Sequence, residues 1–93
     1  MSDAKRFLGE MSAGDRGTIV LTSGPIEIRS RLLEMGLLEG SVVEVVHEAP
    51  FGKDPIAVRV RGALLALRRN EANYIQVTDV EKSKSTAKNQ GAA

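Results

Sequence analysis

His47 is the only histidine in this 93-residue chain, so any imidazole chemistry has to start there. It stands between Glu44 and Glu48, just after the valine-rich run Val42-Val43-Glu44-Val45-Val46. A mononuclear divalent-metal site needs imidazole and carboxylates that converge on one point. Along a regular strand, residues at even spacing share a face, and His47 lies at odd spacing from both glutamates. The pattern therefore predicts a surface histidine that points away from them, and no metal site. Cysteine is absent, which excludes a disulfide framework, a thiolate metal site and a cysteine nucleophile. A single histidine leaves one candidate base for a Ser–His–Asp arrangement. Neither GxGxxG nor GxxxxGK followed by Ser or Thr occurs, so no loop is built to cradle a nucleotide phosphate. With no nucleophile–base pair in prospect, the chain is expected to be no enzyme and to hold no cofactor.

What remains are side chains suited to gripping another polypeptide. Arg59, Arg61, Arg68 and Arg69 are the basic concentration of the part expected to fold. Ile56-Ala57-Val58-Arg59-Val60 alternates cleanly, which places Ile56, Val58 and Val60 on one buried face. If Arg61-Gly62 is a two-residue hairpin loop, Val60 faces Ala63, Val58 faces Leu65 and Ile56 faces Leu67, and inward residues meet inward residues. On the outward face Arg59 then lies opposite Leu64, and Ala57 opposite Ala66. The product is a mixed patch of Leu64, Ala57 and Ala66, rimmed by Arg59 and Arg68 with Arg61 at the turn. Arginine packs as well as pairs and is enriched at interfaces. Arg59, Arg61, Leu64 and Arg68 are therefore the expected partner-binding residues, the alternative being a solvated sheet face. Phe51, at the tip of the breaker-rich loop Pro50–Pro55, joins them as an anchor for a partner's pocket. A lid folded back over the sheet is the competing expectation for its ring.

These side chains need a scaffold, and the rest of the chain supplies its signals. Phe7, Leu8 and Met11 suit one short helical turn or an ordered lead-in. Gly14-Asp15-Arg16-Gly17 is a turn, and Thr18–Thr22 is a β-branched first strand. Pro25 is expected at the first position of a helix over Ile26–Met35, where its missing N–H costs nothing. Ile28, Leu32 and Met35, broadened by Leu33, form a core-facing stripe. Gly36 stops the helix and Gly40 serves the tight connection after it. Ser41–Ala49, with valines of both parities, is a strand either curved or covered on both faces. Asn70 is placed as the cap of a short turn through Tyr74, and Ile75-Gln76-Val77 closes as a last strand. About five short strands with one helix inserted after the first predict a mainly β fold, a small SH3-like barrel.

Ninety-three residues leave room for one small domain. Of 13 basic and 12 acidic residues, the segment Glu81–Ala93 holds Lys82, Lys84 and Lys88 against Glu81, leaving ten basic and eleven acidic residues, net −1, over 1–80. The segment 81–93 has no large apolar side chain and is read as a disordered polar tail behind a domain over 1–80. A near-neutral domain with Phe7, Phe51 and Tyr74 as its only aromatics is a poor nucleic-acid binder, which would combine a basic groove with several stacking rings. No apolar run approaches the ~18–20 residues of a membrane span. The first ten residues lack the apolar core of a secretory signal, so the expected address is the cytoplasm.

Three motifs, in this order, resemble the FeoA family, ferrous iron transport protein A. They are Arg31-Leu32-Leu33-Glu34-Met35-Gly36-Leu37 with Gly40; Ala49-Pro50-Phe51-Gly52 with Asp54-Pro55-Ile56; and Val60-Arg61-Gly62 with Leu65-Ala66-Leu67-Arg68, Glu71-Ala72 and Ile75-Gln76-Val77. The resemblance runs from about Leu8 to Val77. It implies an SH3-like fold and a small cytosolic accessory protein of ferrous iron uptake. The implied partner is the FeoB-type membrane transporter, which has a cytosolic GTP-binding domain. It also implies kinship with the SH3-like domain of metal-dependent repressors, hence the alternative of a transition-metal-binding sensor. Two positions depart from the family pattern: Glu39, often Pro, and Leu64, commonly polar or charged.

Overall fold

The computed structural model describes residues 6–82. Six strands and two helices follow in chain order: β1 (Arg6–Phe7), β2 (Arg16–Thr22), α1 (Ile26–Glu34), β3 (Val42–Glu48), β4 (Ile56–Val60), β5 (Ala63–Leu67), α2 (Arg69–Ala72) and β6 (Ile75–Glu81). A 3-10 turn at Leu8–Glu10 follows β1. The expected lead-in is thus a short strand joined to a turn, and a mainly β, SH3-like architecture stands. The strands form one antiparallel sheet in the order β1-β6-β2-β3-β4-β5. The ladder is open, because β1 and β5 end the order and do not pair. The last strand is longer than its Ile75–Val77 signal and runs to Glu81. The expected tail over 81–93 thus loses Glu81 to β6, and its residues 83–93 lie outside the described residues.

The sheet curls around a single apolar core. Ile19, Val43, Val45, Ile56, Val58, Val60, Leu67, Ile75 and Val77 enter it from the strands, Leu8 and Met11 from the lead-in, and Leu32 from α1. Ile28 and Met35 pack against its edge, so the helical stripe is core as expected. Burying a leucine such as Leu32 contributes about 1.5–3 kcal/mol. Leu37 is also fully buried. Its carbonyl accepts a hydrogen bond from the buried Thr22 hydroxyl at 2.8 Å, which fixes the connection after α1 against β2. Gly36 ends α1 with φ 103°, the left-handed geometry that favours glycine.

Two local expectations are corrected. Pro25 is the N-cap of α1 and not its first residue: its ψ of 150° is extended, and its carbonyl accepts the first helical bond from Arg29 N–H at 2.8 Å. Asn70 caps nothing. Arg68 holds the N-cap position of α2, and its N–H donates to Glu71 Oε1 at 3.2 Å, the acidic half of a capping box. The other Glu71 oxygen pairs with Arg31 of α1.

The open ends of the ladder are joined by one side chain. Arg69, just past β5, donates from Nη1 to the carbonyls of Gly9 (3.0 Å) and Met11 (2.9 Å), just past β1. Its Nη2 donates to Glu48 Oε1 at the end of β3 (2.6 Å), and its Nε to the Lys53 carbonyl (2.8 Å). Its backbone N–H donates to Asp54 Oδ1 at 3.0 Å. The second Glu48 oxygen accepts from Ala13 N–H at 2.8 Å. Gly9 must lack a side chain here, since a Cβ would stand 2.6 Å from the Arg69 carbonyl oxygen and 2.1 Å from Asn73 Oδ1. A planar guanidinium presents its donors in a fixed fork, and this one spends that fork on three separate segments: the lead-in after β1, the end of β3 and the loop before β4.

Removing the fork leaves a part-buried carboxylate and several carbonyls without their donor. Arg69→Met is expected to lower the unfolding free energy by about 2–4 kcal/mol, and Arg69→Lys to recover less than half of that loss. Urea denaturation of the three proteins checks both values.

Candidate functional site

The β4–β5 hairpin has the register its alternation predicts. Val60 pairs with Ala63, Arg59 with Leu64, Val58 with Leu65, Ala57 with Ala66 and Ile56 with Leu67. Arg61 and Gly62 form the two-residue loop, both at positive φ (51° and 83°), as a right-twisted tight hairpin requires. Directly paired residues share a face, so Ala57, Arg59, Leu64 and Ala66 stand together on the outside of the sheet. Leu64 is 63% exposed. Arg59 is exposed too and reaches Glu44 of β3 at 3.7 Å, a surface pair of small energetic weight.

A bulge in β3 extends this face and overturns one expectation. Glu44 pairs with Arg59 and Val45 with Val58, but His47, not Val46, pairs with Ala57. The extra residue resets the parity of the strand. Glu44 and His47 therefore share the outward face, where an unbroken strand would have separated them. Val42, next along and exposed, lies opposite Thr18 of β2. The mixed valine pattern is explained in the same way, with Val43 and Val45 inward and Val42 outward. Glu48, paired with Ile56, turns to the inner side and meets Arg69. Among the described residues no group of three or more His, Asp or Glu side chains is placed to hold a metal ion.

The other named residues divide between the two ends of the hairpin. Arg61 lies at the turn, its Cδ 3.8 Å from where a Cβ on Gly36 would stand. Arg68 lies beyond Leu67, at the end where β3 passes into the Pro50–Pro55 loop. Phe51, on that loop, is 89% exposed, so the lid expectation fails. The loop is tied to Arg69 through Lys53 and Asp54, and the ring stands clear of the sheet. Arg69 leaves the basic patch altogether, since its side chain turns inward and is only 22% exposed. No local motif separates it from Arg68; only the contacts made across the fold assign the two neighbours opposite roles. The sequence reading also passed over Leu21, Ile26 and Leu38, which are exposed on other parts of the surface.

The site so built has an apolar centre, arginines at both ends and one exposed aromatic beside it. Residues 7–79 match the family described as FeoA domain. The chain is 39% identical over 70 residues to a Porphyromonas gingivalis protein described as an Fe(2+) transport protein A/Fe(2+) transporter FeoB fusion protein; the match covers 75% of this chain and 8% of that one. The structure resembles that of Stenotrophomonas maltophilia FeoA complexed with zinc, described as a prokaryotic SH3 domain protein, with TM-score 0.73, 26% identity, and coverage of 84% of this chain and 98% of that one. A manganese-dependent transcriptional repressor shares the fold at TM-score 0.71 and 23% identity, over 83% of this chain and 42% of the repressor.

The contrast between the two faces of the hairpin is measurable. Phe51→Ser and Leu64→Ser are expected to change the unfolding free energy by no more than about 0.5 kcal/mol, and Leu67→Ala to lower it by about 2–5 kcal/mol. A loss above about 1 kcal/mol for Phe51→Ser in urea denaturation would mean that the ring covers the sheet in solution.

Proposed function

The chain belongs to the FeoA family, and on that footing we propose that it is a small cytosolic accessory protein of ferrous iron uptake. It acts as a protein-binding module on the cytosolic side of a FeoB-type membrane transporter. The single observation that supports this reading most is the fusion relative, in which a domain 39% identical to this chain and a FeoB transporter share one polypeptide. Fusion holds two modules at millimolar effective concentration. It is a natural arrangement for partners that otherwise meet by binding. Among the described residues no helix is long and apolar enough to cross a membrane, which agrees with a role beside the bilayer. The surface suited to the contact is the Arg59/Leu64/Arg68 face with Arg61 at one end and the Phe51 loop at the other. The domain expected over 1–80 extends through Glu81, where β6 ends, and the polar residues behind it complete the reading.

The competing reading is a transition-metal sensor, favoured by the zinc-bound relative. Glu44 and His47 sharing a face give it two ligand types, but no third carboxylate or imidazole joins them among the described residues. Anaerobic calorimetry with Fe(II) is expected to show binding no tighter than millimolar. A tighter site that His47→Ala abolishes would favour the sensor.

For the docking reading the experiment is retention of a detergent-solubilised FeoB-type transporter on the immobilised chain. Leu64→Glu is expected to weaken retention by about tenfold or more and Phe51→Ala by about threefold or more, since truncating central apolar anchors costs most. If both variants keep the wild-type fold and the wild-type affinity, this surface is not the contact. An arginine supplied in trans to the transporter's GTPase would raise GTP hydrolysis. No change in hydrolysis at saturating chain is the expected result.

A further inference from the structure

The free edge of β5 adds a second property to the docking face. In a two-residue hairpin the residues flanking the loop form the first hydrogen-bonded pair, and pairs alternate from there. Val60 and Ala63 are that pair, so Ala63, Leu65 and Leu67 direct their backbone groups to β4. Leu64 and Ala66 direct theirs away from the sheet. Among the described residues nothing meets those two N–H and two C=O groups. The usual protections of an edge are a charge, a proline or a bulge. None occurs in Ala63-Leu64-Leu65-Ala66-Leu67, whose register is unbroken.

We propose that the β5 edge takes up one further strand, an extended apolar segment of a partner polypeptide with carboxylates on both flanks. Charge selects that occupant. Arg61 precedes the edge and Arg68 follows it, and neither side chain forms an ion pair among the described residues. Pairing β5 with its own copy about a two-fold axis would bring Arg61 of each chain toward Arg68 of the other, with like charges meeting at both ends. The chain's residues 83–93 are also unsuitable, holding Lys84 and Lys88, no acidic residue and no large apolar one. A segment with acidic ends meets an arginine at each end, roughly 20 Å apart along the strand direction, and its apolar centre covers Leu64. Main-chain bonds at Leu64 and Ala66 give such docking its register, as in other strand-addition complexes.

This inference rests on the docking reading above, but its test needs no transporter, so the two fail separately. The probe is a synthetic peptide of alternating valine and threonine with two aspartates at each end, titrated into the full-length ¹⁵N-labelled chain. The expected result is that the Leu64 and Ala66 amides shift most and become protected from exchange. Replacing the aspartates by lysines should weaken binding by about tenfold or more, and N-methylating alternate peptide amides by a similar factor. Ala66→Pro removes an outward donor without touching the β4 ladder and should act likewise. Combining Arg61→Asp with Arg68→Asp should reverse the preference between the two peptides; aspartate is tolerated both in the left-handed turn and at the N-cap. Equal binding of the methylated and unmethylated peptides, shifts centred away from β5, or no binding at millimolar peptide would each overturn the proposal.

Discussion

The arrangement of this domain depends on how an open sheet is closed without a last strand-to-strand contact. Strand β1 is two residues long, and among the described residues β5 has no partner on its outer side. Arg69 bridges the ends instead, reaching the carbonyls after β1, the carboxylate at the end of β3 and the loop before β4. A guanidinium suits this role because its donors are rigidly spaced and its charge is permanent. Glu48 offsets that charge and uses its remaining oxygen on the Ala13 amide. The cluster is a part-buried, hydrogen-bonded ion pair in which both partners have further work. Such a pair is costly to break from one side even where its net contribution is modest.

The closure also decides what is left outside. Because Arg69 anchors Lys53 and Asp54, the Pro50–Pro55 loop is fixed at its base, and Phe51 is presented with its ring exposed. The bulge after Val45 that turns Glu48 inward to Arg69 also turns His47 to the outer face, where Glu44, Arg59 and Leu64 already stand. The polar cluster inside the rim and the composition of the surface opposite it are thus linked through one bulge. A partner that binds this surface meets side chains already in place. The entropy lost in ordering them, about 0.5–1.5 kcal/mol for each rotamer-rich side chain, is correspondingly smaller.

What could be read from the sequence followed the range of each signal. The β4–β5 hairpin was legible residue by residue, because strict alternation across a two-residue loop admits one register. Helix α1 and its glycine stop were legible from the period of Ile28, Leu32 and Met35 and from Gly36. Expectations failed where one residue changes parity or where the contact is distant. The face of His47 was misread because a single inserted residue, invisible in composition, exchanges the two sides of a strand. Arg69 was grouped with Arg59, Arg61 and Arg68 because its partners lie up to 60 positions away, and charge alone cannot separate a buried arginine from an exposed neighbour. The exposure of Phe51 belongs to the same class, since the tether that keeps the loop off the sheet comes from residue 69.

The same constraint bears on how the proposed docking surface would act specifically. The recognition groups proposed for it are few: two alanines, one leucine, one phenylalanine and three arginines. Flat surfaces of that composition bind weakly when their parts move independently. Here the leucine and alanines lie on the paired strands β4 and β5, whose register is fixed, and Arg61 sits in a tight turn of defined left-handed backbone. Arg68 is held as the N-cap of α2 by Glu71, which is itself tied to Arg31 of α1. Position along the edge is therefore encoded as firmly as residue type. A partner out of register by one residue would present its apolar side chains to solvent and the opposite set to Leu64. Specificity of the proposed docking would come from that geometric penalty more than from the strength of any one contact.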